Sequence, residues 1–218
     1  MIYKANDQSQ PSTWGVVTTC REPTQLMLAF VAHHIAAGAS RIYLYLDAPQ
    51  PDLEAQLAQV PQVEVTLCDE TYWRDHIGRK RPGRQEFRQL INAFDAYDKT
   101  DLAWLAHIDA DEFLHSDMLM ADILAAQPDG LDYVVVNVRE RAYLAETPQQ
   151  GIFDGVFRRP LSPEWEDPSI LLNEGERFTR RGVLGYPHGK SFMRTGQWMV
   201  PGIHTPRRQR EKRDIPLN

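Results

Sequence analysis

A mostly parallel β-sheet flanked by helices is the architecture this sequence predicts, and two observations lead to it. Short β-branched, apolar runs alternate with helical patterns from residue 14 to residue 138. Such a chain needs crossover connections, which set its strands parallel with helices on both faces. The polar residues, moreover, gather just past the ends of the apolar runs, where sheets of this Rossmann-like kind take their ligands.

The elements follow in order. Trp14–Cys20 (WGVVTTC) has the composition of a buried strand. Pro23 opens a helix in which Leu26, Phe30, His33 or His34, and Ala37 recur every three or four residues, and Gly38 is placed to end it. Arg41–Leu46 (RIYLYL) is a second strand that ends at Asp47. A short helix over 51–59 and a third strand at Val63–Leu67 follow. Residues 84–97 form an amphipathic helix with Phe87, Leu90, Ile91 and Phe94 on one face. A fourth strand over 102–108 runs into Asp109, residues 118–126 are helical, and 133–138 (YVVVNV) is a fifth strand. Beyond 139 the periodicity fades and Gly, Pro, Arg and Trp become frequent, which suggests short strands and loops facing a second substrate, up to about 206. The charged stretch 207–213 (RRQREKR), within a tail over 207–218, reads as a solvated terminus.

Composition narrows the function classes. The 218 residues fit a single domain, and 42% hydrophobic with 25% charged residues is ordinary for a globular protein. A formal net charge of -6 argues against a general attraction to nucleic acid. Cys20 and Cys68 form neither a disulfide framework nor a zinc spacing. Residues 1–11 lack the apolar core of a secretory signal, and no apolar run reaches the roughly 20 residues that span a bilayer. A reducing, cytoplasmic setting with no integral membrane segment is the expectation.

The sharpest feature is His107-Ile108-Asp109-Ala110-Asp111-Glu112-Phe113, an apolar strand that delivers three carboxylates at its exit. Asp109 and Asp111 are two apart, so in an extended segment they point the same way. Crowded carboxylates repel unless a cation lies between them. Hard divalent ions, Mg²⁺ or Mn²⁺, choose such oxygen ligands and bridge substrate phosphates. A bare Asp-x-Asp reads more readily as a solvated acidic turn that caps the next helix, but its place at the end of a central strand, followed by an aromatic, favours the metal. In an acidic chain the basic cluster Arg79, Lys80, Arg81 and Arg84 suits a diphosphate, with Arg84 the preferred binder, although a solvated loop explains at least two of the four. Asn92 reads as a surface helix residue and His33 and His34 as structural. Trp165 and Trp198 are candidates to stack on sugars, with core packing as the alternative.

The run WLAHIDADEFL resembles the metal-binding strand end of glycosyltransferases with the GT-A fold, in particular the bacterial family-two-like group. So do TTCREPTQLMLAFVAHHIAAGASRIYLYLD, GRQEFRQLINAF and HGKSFMR with GIHTP, in that order. The resemblance implies a nucleotide-diphosphate-sugar donor, an acceptor hydroxyl on a glycan, lipid or protein, and a divalent ion, Mn²⁺ or Mg²⁺. It implies that Asp109 and Asp111 touch the metal and the donor, and that His204 lies near the metal. Thr18, Arg21 and Glu22 are then expected about the nucleotide base, although a turn into the helix explains them too. Asp47 would accept hydrogen bonds from base or ribose, Lys190 would neutralise the diphosphate, and His188 is a lesser candidate for that task. Glu140 is the candidate base for the acceptor, in competition with Asp154, Glu166 and Asp167. Two other readings stay open: a metal-dependent phosphohydrolase or nucleotidyltransferase, and a non-catalytic nucleotide-sugar-binding module.

Overall fold

The computed structural model describes residues 12–143, 146, 150–151, 153–165, 167 and 169–208. Its strands are β1 (Trp14–Cys20), β2 (Arg41–Leu46), β3 (Val63–Leu67), β4 (Trp104–His107), β5 (Tyr133–Val136), β6 (Glu140–Ala142), β7 (Val156–Arg158), β8 (Lys190–Arg194), β9 (Met199–Val200) and β10 (Arg207–Arg208). Its α-helices are α1 (Thr24–Ala36), α2 (Pro51–Leu57), α3 (Gln85–Lys99), α4 (Met120–Ala125) and α5 (Ser169–Leu172). Six strands form one sheet in the order β3-β2-β1-β4-β8-β5. The four strands β3, β2, β1 and β4 are parallel, whereas β8 runs antiparallel to β4. The expected α/β class is thus the observed one.

The four parallel strands all leave the sheet at one edge. Their core is apolar on both faces, as a sheet covered by helices requires. Every residue of β1 is buried. One face carries Val17, Tyr43, Tyr45, Leu105 and Met193 against Ile91, Ala93 and Ala96 of α3. By the period of two, Val16, Ile42 and Leu44 face the other way; α1 and α2 pack against each other, and α1 also against β2. Gly38 ends the first helix at φ +96°, a conformation that glycine adopts without a steric penalty.

Two compact units divide the chain. One takes in the described residues as far as Val134 and from Ser191 onward; the other is Val135–Lys190. The stretch 139–206 is therefore not one acceptor-side appendage, because its last part returns to the sheet as β8. The short run KSFMR gave no period by which to foresee that strand. Nor is the charged tail wholly solvated: Arg207 and Arg208 pair with β9, and Arg208 makes a two-pronged ion pair with Asp132 at 2.5 and 2.7 Å. Residues 209–213 lie outside the described residues.

Within the second unit, β6 and β7 form an antiparallel hairpin in which Glu140 faces Arg158, Arg141 faces Phe157 and Ala142 faces Val156. A turn of 3-10 helix, Asn173–Phe178, follows α5. No helix among the described residues is long and apolar enough to cross a membrane.

Candidate functional site

Helix α3 builds the site. Its buried arc shares only Ile91 with the expected face of Phe87, Leu90, Ile91 and Phe94, since Leu90 and Phe94 are half-buried. Phe87 is exposed, and Arg88, Gln89, Ile91, Asn92, Ala93, Ala96 and Tyr97 are buried. Three polar residues thus lie on a sheet whose own surface is apolar. Such burial is unfavourable unless each polar group finds a partner, and each partner here is at the carboxyl edge of the strands.

Arg88 reaches the exit of β2. Its Nε and Nη2 donate to the two carboxylate oxygens of Asp47 at 2.9 and 2.8 Å, and its Nη1 donates to the carbonyls of Pro82 and Gly83. Arg81 adds a second cation to Asp47 at 2.9 Å. This fork pins the basic loop 79–84 over the strand end. Asp47 is accordingly a bracket for the loop, with side-chain exposure of 8%; the expected role in accepting hydrogen bonds from a base or ribose gives way to two guanidinium partners.

Asn92 is fully buried, not on the surface. Its Nδ2 donates to Thr19 Oγ1 at 2.8 Å and to Cys68 Sγ at 3.5 Å, and its Oδ1 accepts from Tyr72 Oη at 2.9 Å. Burial pushes the Cys68 thiol up to about 12, with the charge of Asp47 adding to the effect. It also raises the Cys20 thiol well above its ordinary value. Both cysteines are free and buried, and neither thiol is poised as a nucleophile.

Gln89 reaches the exit of β4, where its Nε2 donates to Asp109 Oδ1 at 3.0 Å. The acidic segment itself is a turn. The Glu112 N–H donates to the Asp109 carbonyl at 3.0 Å, and the Glu112 carboxylate accepts the Asp109 N–H at 3.2 Å. The extended geometry expected of Asp109 and Asp111 is therefore absent, because this turn closes between them. Asp109 is half-buried under α3, Asp111 is exposed, and Glu112 caps the turn. The chain beyond is latched by α1: His33 Nε2 bonds the Leu114 carbonyl at 2.5 Å, and the Leu114 N–H donates to His34 Nε2 at 3.4 Å. Burial lowers the His34 pKa to about 4, against the opposing bond to the Phe30 carbonyl, so His34 is a neutral structural residue, as expected.

The segment that carries His204 is fastened to the same region of the first unit. His107 Nδ1 donates to the Gly202 carbonyl at 2.9 Å, and Ser191 Oγ donates to the His204 carbonyl at 2.6 Å. Gly202 is required there, since a Cβ would lie 2.0 Å from the Thr205 carbonyl oxygen. Even so, among the described residues no three His, Cys, Asp or Glu side chains gather as a metal-holding group. Asp109, Asp111 and His204 are accordingly not brought together as such a three-residue group. The pair Asp109 and Asp111 still offers hard oxygen donors. That set fits an ion of the Mg²⁺ kind, which is held by one or two carboxylates and takes its remaining ligands from substrate phosphates and water.

Two clefts open along this edge. One of about 760 Å³ lies at the exits of β2 and β3, lined by Asp47, Pro49, Cys68, Asp69, Trp73 and the basic run Arg79, Lys80 and Arg81. Its wall is a π-helical turn, Tyr72–His76. The Tyr72 N–H donates to Asp69 Oδ1 at 2.8 Å, and the Trp73 indole donates to the Cys68 carbonyl at 3.0 Å. The other, about 470 Å³, is lined by Arg21, Glu22, Pro49, Gln50 and Asp52. Arg21 and Glu22 thus line a cleft, but Thr18 does not: it is fully buried inside β1, two residues before the strand ends at Cys20. Arg84 caps the start of α3, 70% exposed, over the Phe87 ring and 3.7 Å from Glu86. The loop's buried anchor is Arg88, which sequence reasoning missed; its signal was a position four residues before Asn92 on one helical face.

Lys190 and Glu140 belong to the second unit. Lys190 is buried at the start of β8, and His188 stacks on Tyr186. Glu140 takes two bonds from Arg158 and accepts the N–H groups of Leu184 and Gly185 at 2.8 Å. Burial raises its pKa, but the Arg158 guanidinium and those N–H groups outweigh this and hold the carboxyl below its ordinary value. A carboxylate so occupied braces a loop, and its expected role as general base gives way. Asp154 is likewise engaged by the N–H groups of Gln150 and Gly151. Asp167 is exposed, and Glu166 lies outside the described residues. Trp165 and Trp198 are both exposed rather than packed in the core. No family model matches the chain, and no curated protein matches it.

Proposed function

We propose that this protein is a glycosyltransferase of the GT-A type that moves a sugar from a nucleotide-diphosphate donor to an acceptor hydroxyl. The observation that carries the reading is the span of α3 across β1. Arg88 fixes the exit of β2 while Gln89 fixes Asp109 at the exit of β4, so an acidic turn and a cleft with a basic rim share one edge. That pairing suits a diphosphate and its counter-ion better than it suits a neutral ligand.

When bound, Mn²⁺ or Mg²⁺ held by Asp109 and Asp111 would supply stabilisation of the charge on the departing diphosphate. The chain's own residues do the rest. Gln89 orients Asp109, the Arg88–Asp47 fork fixes the loop of Arg79, Lys80 and Arg81, and that rim adds positive potential near the leaving group before reaction begins. The reading goes with a reducing, cytoplasmic setting, in which thiols such as Cys20 and Cys68 remain free.

The test is a product assay on uridine, guanosine and thymidine diphosphate sugars with Mn²⁺. Release of an intact nucleoside diphosphate from one of them supports the proposal. Inorganic phosphate or a nucleoside monophosphate as first product would show a phosphohydrolase instead. Tight donor binding with no product from any donor would show a module without turnover.

A further inference from the structure

The hairpin of the second unit carries exposed rings among arginines on one of its faces. Along β6 and β7 the residues alternate between two faces. One face carries the ion pair of Glu140 with Arg158, and Glu140 accepts the N–H groups of Leu184 and Gly185. The other carries Arg141 and Phe157, which stand opposite each other. The Arg141 guanidinium lies 5.1 Å from the Phe157 ring centre and 5.5 Å from that of Phe153. Gly155, at φ +112°, makes room on this face: a Cβ there would sit 3.2 Å from the Tyr143 ring and 3.3 Å from the Arg141 stem. Phe157 is 60% exposed, Phe153 53% and Tyr143 45%. Arg139 and Arg159, one residue outside each strand, are exposed as well.

Clustered exposed aromatics rimmed by cations mark a contact surface. We propose that this arginine-and-aromatic face of the β6–β7 hairpin docks on an anionic phospholipid surface. Aromatic rings settle at the headgroup level, and guanidinium groups pair with lipid phosphates. The rest of the unit favours lipid over a polysaccharide or a nucleic acid. Ile170 is 75% exposed, Leu184 70% and Phe178 67%; aliphatic side chains stack on neither sugars nor bases but enter the headgroup boundary. Residues 135–190 hold eight basic and eight acidic side chains, so the formal charge of -6 resides entirely outside them. Residues 135–190 thus carry no net formal charge of their own.

The test is sedimentation of the full chain with vesicles of phosphatidylcholine alone and with vesicles that also contain phosphatidylglycerol. The chain is expected to partition to the anionic vesicles at least about tenfold more strongly, and less so at high salt. The variant Arg139→Gln/Arg141→Gln/Arg159→Gln is expected to lose that preference, and the corresponding triple Lys variant to keep it. Phe157→Ser is expected to weaken binding, whereas Arg74→Gln, an exposed change in the first unit, leaves it intact. Circular dichroism confirms that each variant is folded. No partitioning of the parent chain, equal partitioning to both vesicles, or binding to a soluble acidic polysaccharide or oligonucleotide in place of vesicles would each overturn the proposal.

Discussion

Helices α1 and α3 both cover the central sheet, yet they bury different chemistry. α1 presents Met27, Phe30 and Val31 with one polar residue, His34, which bonds the carbonyl of Phe30 within its own helix and, beyond it, accepts only the Leu114 N–H at a long 3.4 Å. α3 presents Arg88, Gln89 and Asn92, and all three reach beyond their helix to Asp47, Asp109 and Thr19. One helix serves mainly as cover for the sheet. The other converts buried polarity into fixed positions at three adjacent strand ends, the strained accounting that functional sites tolerate and cores avoid.

Changes in both helices would break or sharpen this contrast. The largest effect is expected at Arg88. Arg88→Met leaves a nearly buried Asp47 with only Arg81, and should cost about 3–5 kcal/mol of stability by chemical denaturation. Arg88→Met with Asp47→Leu should recover most of that loss. Phe30→Ala in α1 should cost a similar amount, about 3–5 kcal/mol, but leave ligand binding by the folded fraction unchanged. If the Arg88 variant also bound ligand normally, the two helices would not differ in kind.

Asn92→Leu comes next. It removes the bonds to Thr19, Cys68 and Tyr72 and orphans buried partners, for an expected loss of about 2–3 kcal/mol by the same measurement. The third concerns pH. His34 has a folded pKa of about 4 against an ordinary 6.5, so the unfolded chain takes the proton first as pH falls. The stability that His34 provides is whole above pH 6.5 and drains away between there and about 4, on the order of 3 kcal/mol in all. His34→Gln should flatten that part of a stability profile against pH; an unchanged slope would place the titration elsewhere. Gln89→Ala is expected to change stability least, by about 1 kcal/mol or less. It should nonetheless weaken metal-dependent ligand binding about tenfold in calorimetry, since it removes a donor that orients Asp109.

The sequence carried the sheet more clearly than the site. Strand ends at Cys20, Leu46 and Leu67 were legible because β-branched runs stop there at polar residues. Asp109 and Asp111 were legible as a cluster, with an acidic turn as the alternative to an extended exit; composition does not separate the two, since the bonds that bend the chain join Asp109 to Glu112. The face of α3 was misread because apolar residues were assumed to mark it. Phe87 and Phe94 drew attention from the arc of Arg88, Asn92 and Ala96, whose burial depends on partners distant in sequence. The strand at Ser191 and Phe192 escaped for a related reason: its pairing partner, Ala106, lies far back in the chain.

The most direct measurement is a calorimetric titration of uridine, guanosine and thymidine diphosphates with and without Mn²⁺, on the parent chain and on Asp109→Asn and Asp111→Ala. One nucleotide is expected to bind about tenfold or more tightly with the metal, some 1.4 kcal/mol, and both variants to lose that gain while they still bind weakly without it. A metal-dependent gain that survives in Asp109→Asn would contradict the account, because the carboxylate that α3 holds in place would then have no part in gripping the ion.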